Sequence, residues 1–240
     1  MDKIIDTIRR EKQVPIIGVI GGTNPTEEYS REMGINVGYA LRQLGEDITC
    51  SIFSGGVEGV GLDVYGGIIK YCLQNGKRDD FFFTLIPELD EGQFNIDKFT
   101  GSGMISKVRP KRAYHLPSAY HLLRSLLSLN DIAQVMAGRD MNERRKYVAE
   151  VADALVMVNG GLGTLDEAFN ALKRPIPVFT LGNTGGMAEE LASLRDQPLS
   201  PQLERALVEQ GIRSKGIHKG SIYLVSDAQD LDRQLRAYFS

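Results

Sequence analysis

One stretch restricts this chain more than any other. It runs Ala154-Leu155-Val156-Met157-Val158, then Asn159-Gly160-Gly161-Leu162-Gly163-Thr164, then Leu165-Asp166-Glu167-Ala168-Phe169. The unbroken apolar run predicts a strand buried on both faces. Gly160, Gly161 and Gly163 predict a turn, after which Leu165, Phe169 and Leu172 fall at helical spacing. A buried strand, a glycine turn and a helix start make an anion site. Glycines let a ligand approach the backbone, and free N–H groups with the helix dipole face it. Phosphate is the usual guest. Glu167, in the first turn of the expected helix, would repel a phosphate unless it faces another part of the ligand. Thr164-x-x-Glu167 also fits a capping box, in which the two side chains satisfy each other's orphan N–H groups. This stretch alone leaves both roles open.

The same rhythm occurs upstream. Pro15 to Ile20 reads as a buried strand, followed by the turn Gly21-Gly22-Thr23-Asn24-Pro25 and a helix from about Thr26 to Leu44 with Gly45 as its C-cap. Ile48 to Phe53 reads as a second strand, followed by the glycine turn Ser54 to Gly61 and a helix over about 62–74. Phe81 to Ile86 is a third strand, stopped by Pro87. A short amphipathic helix over 2–12 precedes them. Downstream, Ile176 to Leu181 and Ser221 to Val225 read as strands, with helices at about 187–195, 201–210 and 228–238. Such alternation predicts an α/β, Rossmann-like parallel sheet with helices on both faces, in a single domain. Three glycine turns would meet at the carboxyl edge of the sheet, where such folds bind ligands. None spells the dinucleotide fingerprint, and Phe53-Ser54 stands where a dinucleotide site would need an acidic residue for ribose.

Residues 88–139 break the rhythm. Asp90 to Gly103 is polar and reads as a loop. Lys107, Arg109, Lys111 and Arg112 form a basic cluster beside Tyr114 and His115, either a solvated face or a lid over an anionic ligand. Pro117 to about Val135 reads as a helix that covers the core or contacts another subunit. A helix then runs from about Asn142 to Ala152. Its apolar stripe, Val148, Val151 and Leu155, extends back to Arg144. A guanidinium in line with a buried face needs an anion, and Glu167 or a phosphate would serve.

Composition removes several classes. A net charge of -3 argues against a dedicated nucleic-acid binder. No apolar run approaches the roughly 20 residues of a membrane span, and the N-terminus lacks a secretory pattern. Cys50 and Cys72 read as buried free thiols, and His115, His121 and His218 lack ligand spacing, so no metal is expected. A reduced, cytoplasmic protein is the simplest expectation.

Residues 139–182 resemble the LOG (Lonely Guy) nucleotide phosphoribohydrolases of the wider SLOG, Rossmann-like nucleotide-binding superfamily. The family signature is a methionine-x-x-arginine-lysine helix, Ala-Asp-Ala, a strand and Pro-Gly-Gly-x-Gly-Thr-x-x-Glu. Here Met141 to Arg145, Ala152-Asp153-Ala154 and Asn159 to Glu167 stand in that order and spacing. Residues 14–87 are similar more loosely. Arg145 replaces the lysine, Asn159 replaces the proline, the second glycine turn differs, and residues 88–139 exceed the family's segment.

The resemblance implies hydrolysis of a nucleoside 5′-monophosphate to free base and ribose 5-phosphate, without metal or organic cofactor. It implies Arg144 and Glu167 as the catalytic pair. Gly160, Gly161, Gly163, Thr164 and Arg145 would hold phosphate, and Gly22, Thr23, Gly55 and Gly56 would line the pocket. It also implies a homodimer or larger assembly. Members of this family are often labelled lysine decarboxylases, but no lysine context here suits a pyridoxal cofactor. A non-hydrolytic nucleotide sensor or carrier of the same superfamily is the alternative.

Overall fold

The computed structural model describes residues 14–54, 59–77, 82–86, 105–107, 133–136 and 140–240. Its strands are β1 (Ile16–Gly21), β2 (Ser51–Ser54), β3 (Phe82–Ile86), β4 (Ile105–Lys107), β5 (Ala133–Met136), β6 (Ala154–Val158), β7 (Val178–Leu181) and β8 (Ile222–Leu224). Its helices are α1 (Arg31–Asp47), α2 (Val60–Asn75), α3 (Met141–Val151), α4 (Leu162–Leu172), α5 (Gly186–Leu194), α6 (Pro201–Glu209) and α7 (Ala228–Phe239).

The strands form one sheet in the order β4-β5-β3-β2-β1-β6-β7-β8. Among the described strands only β4 runs antiparallel to its neighbour; the other pairings are parallel. The sheet is a Rossmann-like α/β arrangement. Along β1, Ile16 and Ile20 face one core while Ile17 and Val19 face the other. β6 does the same with Leu155 and Met157 against Ala154, Val156 and Val158. This two-residue alternation, apolar on both sides, is what a strand sandwiched between helices requires. α3, α4, α5 and α6 supply side chains to the first core, and α1, α2 and α7 to the second. The chain leaves β1 toward β2 on one side and returns beside it as β6 on the other. The crevice of such a fold opens at that reversal, above the carboxyl ends of β1 and β6.

Several boundaries differ from the sequence expectation. α1 starts at Arg31, because Ser30 caps it by accepting the Glu32 N–H at 3.3 Å. Residues 26–29 form a turn instead, with the Tyr29 N–H bonded to the Thr26 carbonyl at 3.1 Å. Gly45 is buried inside α1, which runs on to Asp47. α1 and α2 pack with their backbones nearly touching: a β-carbon at Gly38 would strike the Val64 carbonyl. β2 begins at Ser51, after Thr49 takes a left-handed φ of 45°. The helix expected over 117–135 is corrected at its end. Ala133 to Met136 is a strand, extending the sheet beyond β3. A short apolar run reads equally as helix or strand, and sheet pairing decides it. Lys107 of the basic cluster ends β4. The remainder of that cluster, the 90–103 loop, residues 117–132 and the 2–12 helix lie outside the described residues.

Candidate functional site

Arg144 lies in the first turn of α3, a helix capped by Asp140, whose carboxylate accepts the Asn142 and Glu143 N–H groups at 3.0 Å each. Val148 and Val151 bury the same side of the helix, which carries the guanidinium inward. Arg144 Nη1 donates to Glu167 Oε1 at 2.8 Å, and its Nε donates to the Leu85 carbonyl on β3 at 2.9 Å. Both members of the pair are buried, Arg144 at 3% and Glu167 at 5% exposure. Burial pushes the Glu167 carboxyl above its ordinary value, against the pull of Arg144 and Arg145. Breaking such a pair strands a charge, so neither side chain is interchangeable with a neutral one.

The capping-box reading of Thr164 and Glu167 is overturned. α4 begins at Leu162 with Gly161 as its N-cap and no side-chain cap. Thr164 is therefore the third helical residue and Glu167 the sixth, one turn beyond the helix start. The N–H groups of the first turn have no intrahelical acceptor. At Gly161, φ is -108°, a value open to any residue, and a β-carbon there would meet nothing within 4 Å. The polypeptide itself does not need a glycine at this point.

Two linkages orient the turn between β6 and α4. Asn159 and Gly160 both have positive φ, 53° and 95°. Their carbonyls accept the Ala188 and Met187 N–H groups of α5 at 3.1 and 2.9 Å. In a planar trans peptide the C=O and N–H bonds point in opposite directions. The N–H groups of Gly160 and Gly161 are thus aimed away from α5. Gly22, at the end of β1, abuts this turn: a β-carbon there would lie 3.3 Å from Gly160 Cα. The Gly22 carbonyl accepts the Val60 N–H of α2 at 3.0 Å. The ends of β1 and β6 and the start of α2 therefore meet at one edge.

Of the residues expected from sequence, the structure brings together Arg144, Glu167, Gly22, Gly160, Gly161, Gly163 and Thr164. Arg145 is half-buried over the start of α4, where a β-carbon at Gly163 would lie 2.6 Å from its Nη2. It donates to Asn142 Oδ1 at 3.2 Å. Thr23 is exposed on the loop after β1. Gly55 and Gly56 lie outside the described residues. Asp166, half-buried on α4, is also pushed up by burial, opposed by Arg145, Lys173 and Lys146, and it makes no ion pair with Arg144. Sequence reasoning missed Thr26, Thr184 and the Leu85 carbonyl, and noted Asn159 only as a departure. An asparagine opening a glycine turn was the available signal, since it tolerates left-handed φ. Among the described residues no group of His, Cys, Asp or Glu could hold a metal ion, and no helix is long and apolar enough to cross a membrane.

These features define a Rossmann-like α/β protein with a glycine turn and a buried arginine–glutamate pair at the carboxyl edge of its sheet. Residues 103–179, from β4 through α4 into β7, match the model of a family described as "Possible lysine decarboxylase". The fold is shared with the crystal structure titled TM1055, at 16% identity and a TM-score of 0.54, covering 93% of this chain and 99% of that one. It is also shared with the molybdenum cofactor binding protein from the phototrophic bacterium Rippkaea orientalis, at 17% identity and a TM-score of 0.51, covering 95% and 98%. No curated protein matches the chain. The family match supports the resemblance to the LOG family that the sequence motifs carry, and the shared structures show the fold.

Proposed function

We propose that the protein hydrolyses the N-glycosidic bond of a nucleoside 5′-monophosphate, releasing the free base and ribose 5-phosphate. The observation that carries this reading is the buried Arg144–Glu167 pair one helical turn beyond an uncapped helix start. In this reading the 5′-phosphate sits on the N–H groups of Gly160, Gly161, Gly163 and Thr164, with Arg145 as counter-charge. The sugar then faces Glu167, so the carboxylate and the phosphate do not compete for one place. As the bond from C1′ to the base nitrogen lengthens, positive charge grows on the ribose ring, as in glycoside cleavage. Ionised Glu167 stabilises that charge and orients water. The water's oxygen bonds to C1′, and its proton balance is completed on the departing base. Arg144 holds the carboxylate at a fixed place. Gly22 and Thr23 complete the pocket wall.

A second reading is a nucleotide or cofactor carrier that does not hydrolyse its ligand. The deep burial of Glu167, with one oxygen engaged by Arg144, favours it, as does the shared fold with a molybdenum cofactor binding protein. Chromatographic product analysis over a panel of nucleoside 5′-monophosphates separates the two. Base release by the parent, lost in Glu167→Gln and Arg144→Ala, is expected. Tight nucleotide binding by calorimetry with no base released from any nucleotide would leave the carrier.

A further inference from the structure

Asn159 stands where the family signature has proline, and its contacts are unlike anything a proline can make. Its side chain is fully buried. Its backbone N–H donates to Thr184 Oγ1 at 2.7 Å, and that hydroxyl in turn donates to the Leu181 carbonyl at 2.6 Å. Its Nδ2 donates to Thr26 Oγ1 at 2.7 Å and to the Thr184 carbonyl at 2.6 Å, while its Oδ1 accepts the Thr26 N–H at 3.2 Å. The amide orientation is forced, since one side meets an N–H and the other a carbonyl. Thr26 passes the chain of bonds on to the Glu28 carboxylate, which lies against Gly185. One residue thereby joins the loops that follow β1, β6 and β7. In the adjacent bonds, α5 holds the Asn159 and Gly160 carbonyls.

We infer that Asn159 is a positioning residue for the phosphate: it locks the left-handed turn so that the Gly160 and Gly161 N–H groups face the ligand. The inference rests on the phosphate-binding half of the function proposed above and is independent of whether the bond is then cleaved. A turn left to itself would sample other conformations and present fewer N–H groups at once, so affinity for the phosphate end should depend on this amide more than affinity for a base does.

The test is calorimetric titration of the full chain with ribose 5-phosphate, which carries the phosphate and sugar but no base. Asn159→Asp keeps the shape and the Thr26 N–H acceptor but sets an oxygen against the Thr184 carbonyl. It should weaken ribose 5-phosphate by about tenfold. Thr26→Val removes only the hydroxyl from the network and should weaken it by about threefold. Circular dichroism at the titration temperature reports whether each variant is folded. A purely structural role would lower the thermal midpoint and leave the affinity of the folded protein unchanged. Wild-type affinity in folded Asn159→Asp overturns the inference. If that variant does not fold, wild-type affinity in Thr26→Val overturns it. A parent chain that binds no ribose 5-phosphate overturns it as well. Binding that Asn159→Asp weakens, in a parent that releases no base, supports the inference and sinks only the hydrolase.

Discussion

At Glu167 two demands conflict. Burial penalises the ionised form, while the proposed chemistry needs it ionised. Because burial holds the folded carboxyl above its ordinary range, base release should climb as pH rises and the carboxyl ionises, as read from the pH dependence of kcat/KM. Stability runs the other way. The native state holds this proton more tightly than the unfolded chain, so the contribution is fully present below the unfolded value and is lost as pH rises through the folded one. Removing one partner should cost about 3–5 kcal/mol in urea unfolding for Arg144→Ala or Glu167→Ala. The joint replacement Arg144→Met with Glu167→Leu should regain most of that and remain inactive. Installing the proline of the LOG signature should fail. Asn159→Pro cannot adopt φ 53° and has no N–H for Thr184, so a loss above about 2 kcal/mol is expected in the same assay.

Helices and turns use their glycines for different purposes, and substitution separates them. Gly38→Ala drives a methyl into the Val64 carbonyl and pushes α1 off α2, which should cost more than about 2 kcal/mol. Gly161→Ala meets open space at an ordinary φ, so the thermal midpoint should shift by the equivalent of less than about 0.5 kcal/mol. In the proposed phosphate site its ribose 5-phosphate affinity should fall nonetheless, because the methyl would take space at the turn proposed to hold the phosphate. Elements with a full apolar stripe, such as β1, β6 and α3, were legible in the sequence, since burial on both faces leaves one pattern available. β5 was not, because Ala133-Gln134-Val135-Met136 continues a leucine-rich helical spacing and only its pairing with β3 and β4 makes it a strand. The start of α4 was misplaced for a local reason: Thr164 and Glu167 have capping spacing, whereas Gly161 is the N-cap and the carboxylate goes to Arg144, the other partner the sequence offered it.

Across the whole molecule, protection should follow the strand order. β1 and β6, flanked by strands and covered by helices on both faces, should exchange their amides only through global unfolding, while β8 at the edge exchanges earlier in hydrogen-exchange mass spectrometry. The site inherits this gradient. Arg144 and Glu167 were readable from the chain because each sits on an element whose buried face is periodic. The network of Asn159 was not, since Thr26 lies 133 positions before it and Thr184 25 after, and no local pattern encodes a bond over such spans.

The central strand acquires its second neighbour late. Ile16 donates to the carboxylate of Asp153, 137 residues further on, and β1 cannot pair with β6 before that segment exists. At about 5–20 residues per second a ribosome takes roughly 7–27 s to cover that distance. For the part of it that follows β2, from Ser54 to Asp153, about 5–20 s at the same rate, β1 has one exposed flank, a template for any stray strand. The nascent chain is therefore most in need of a chaperone between the emergence of β2 and the emergence of β6, and a pause in translation within residues 88–139 would prolong its exposure.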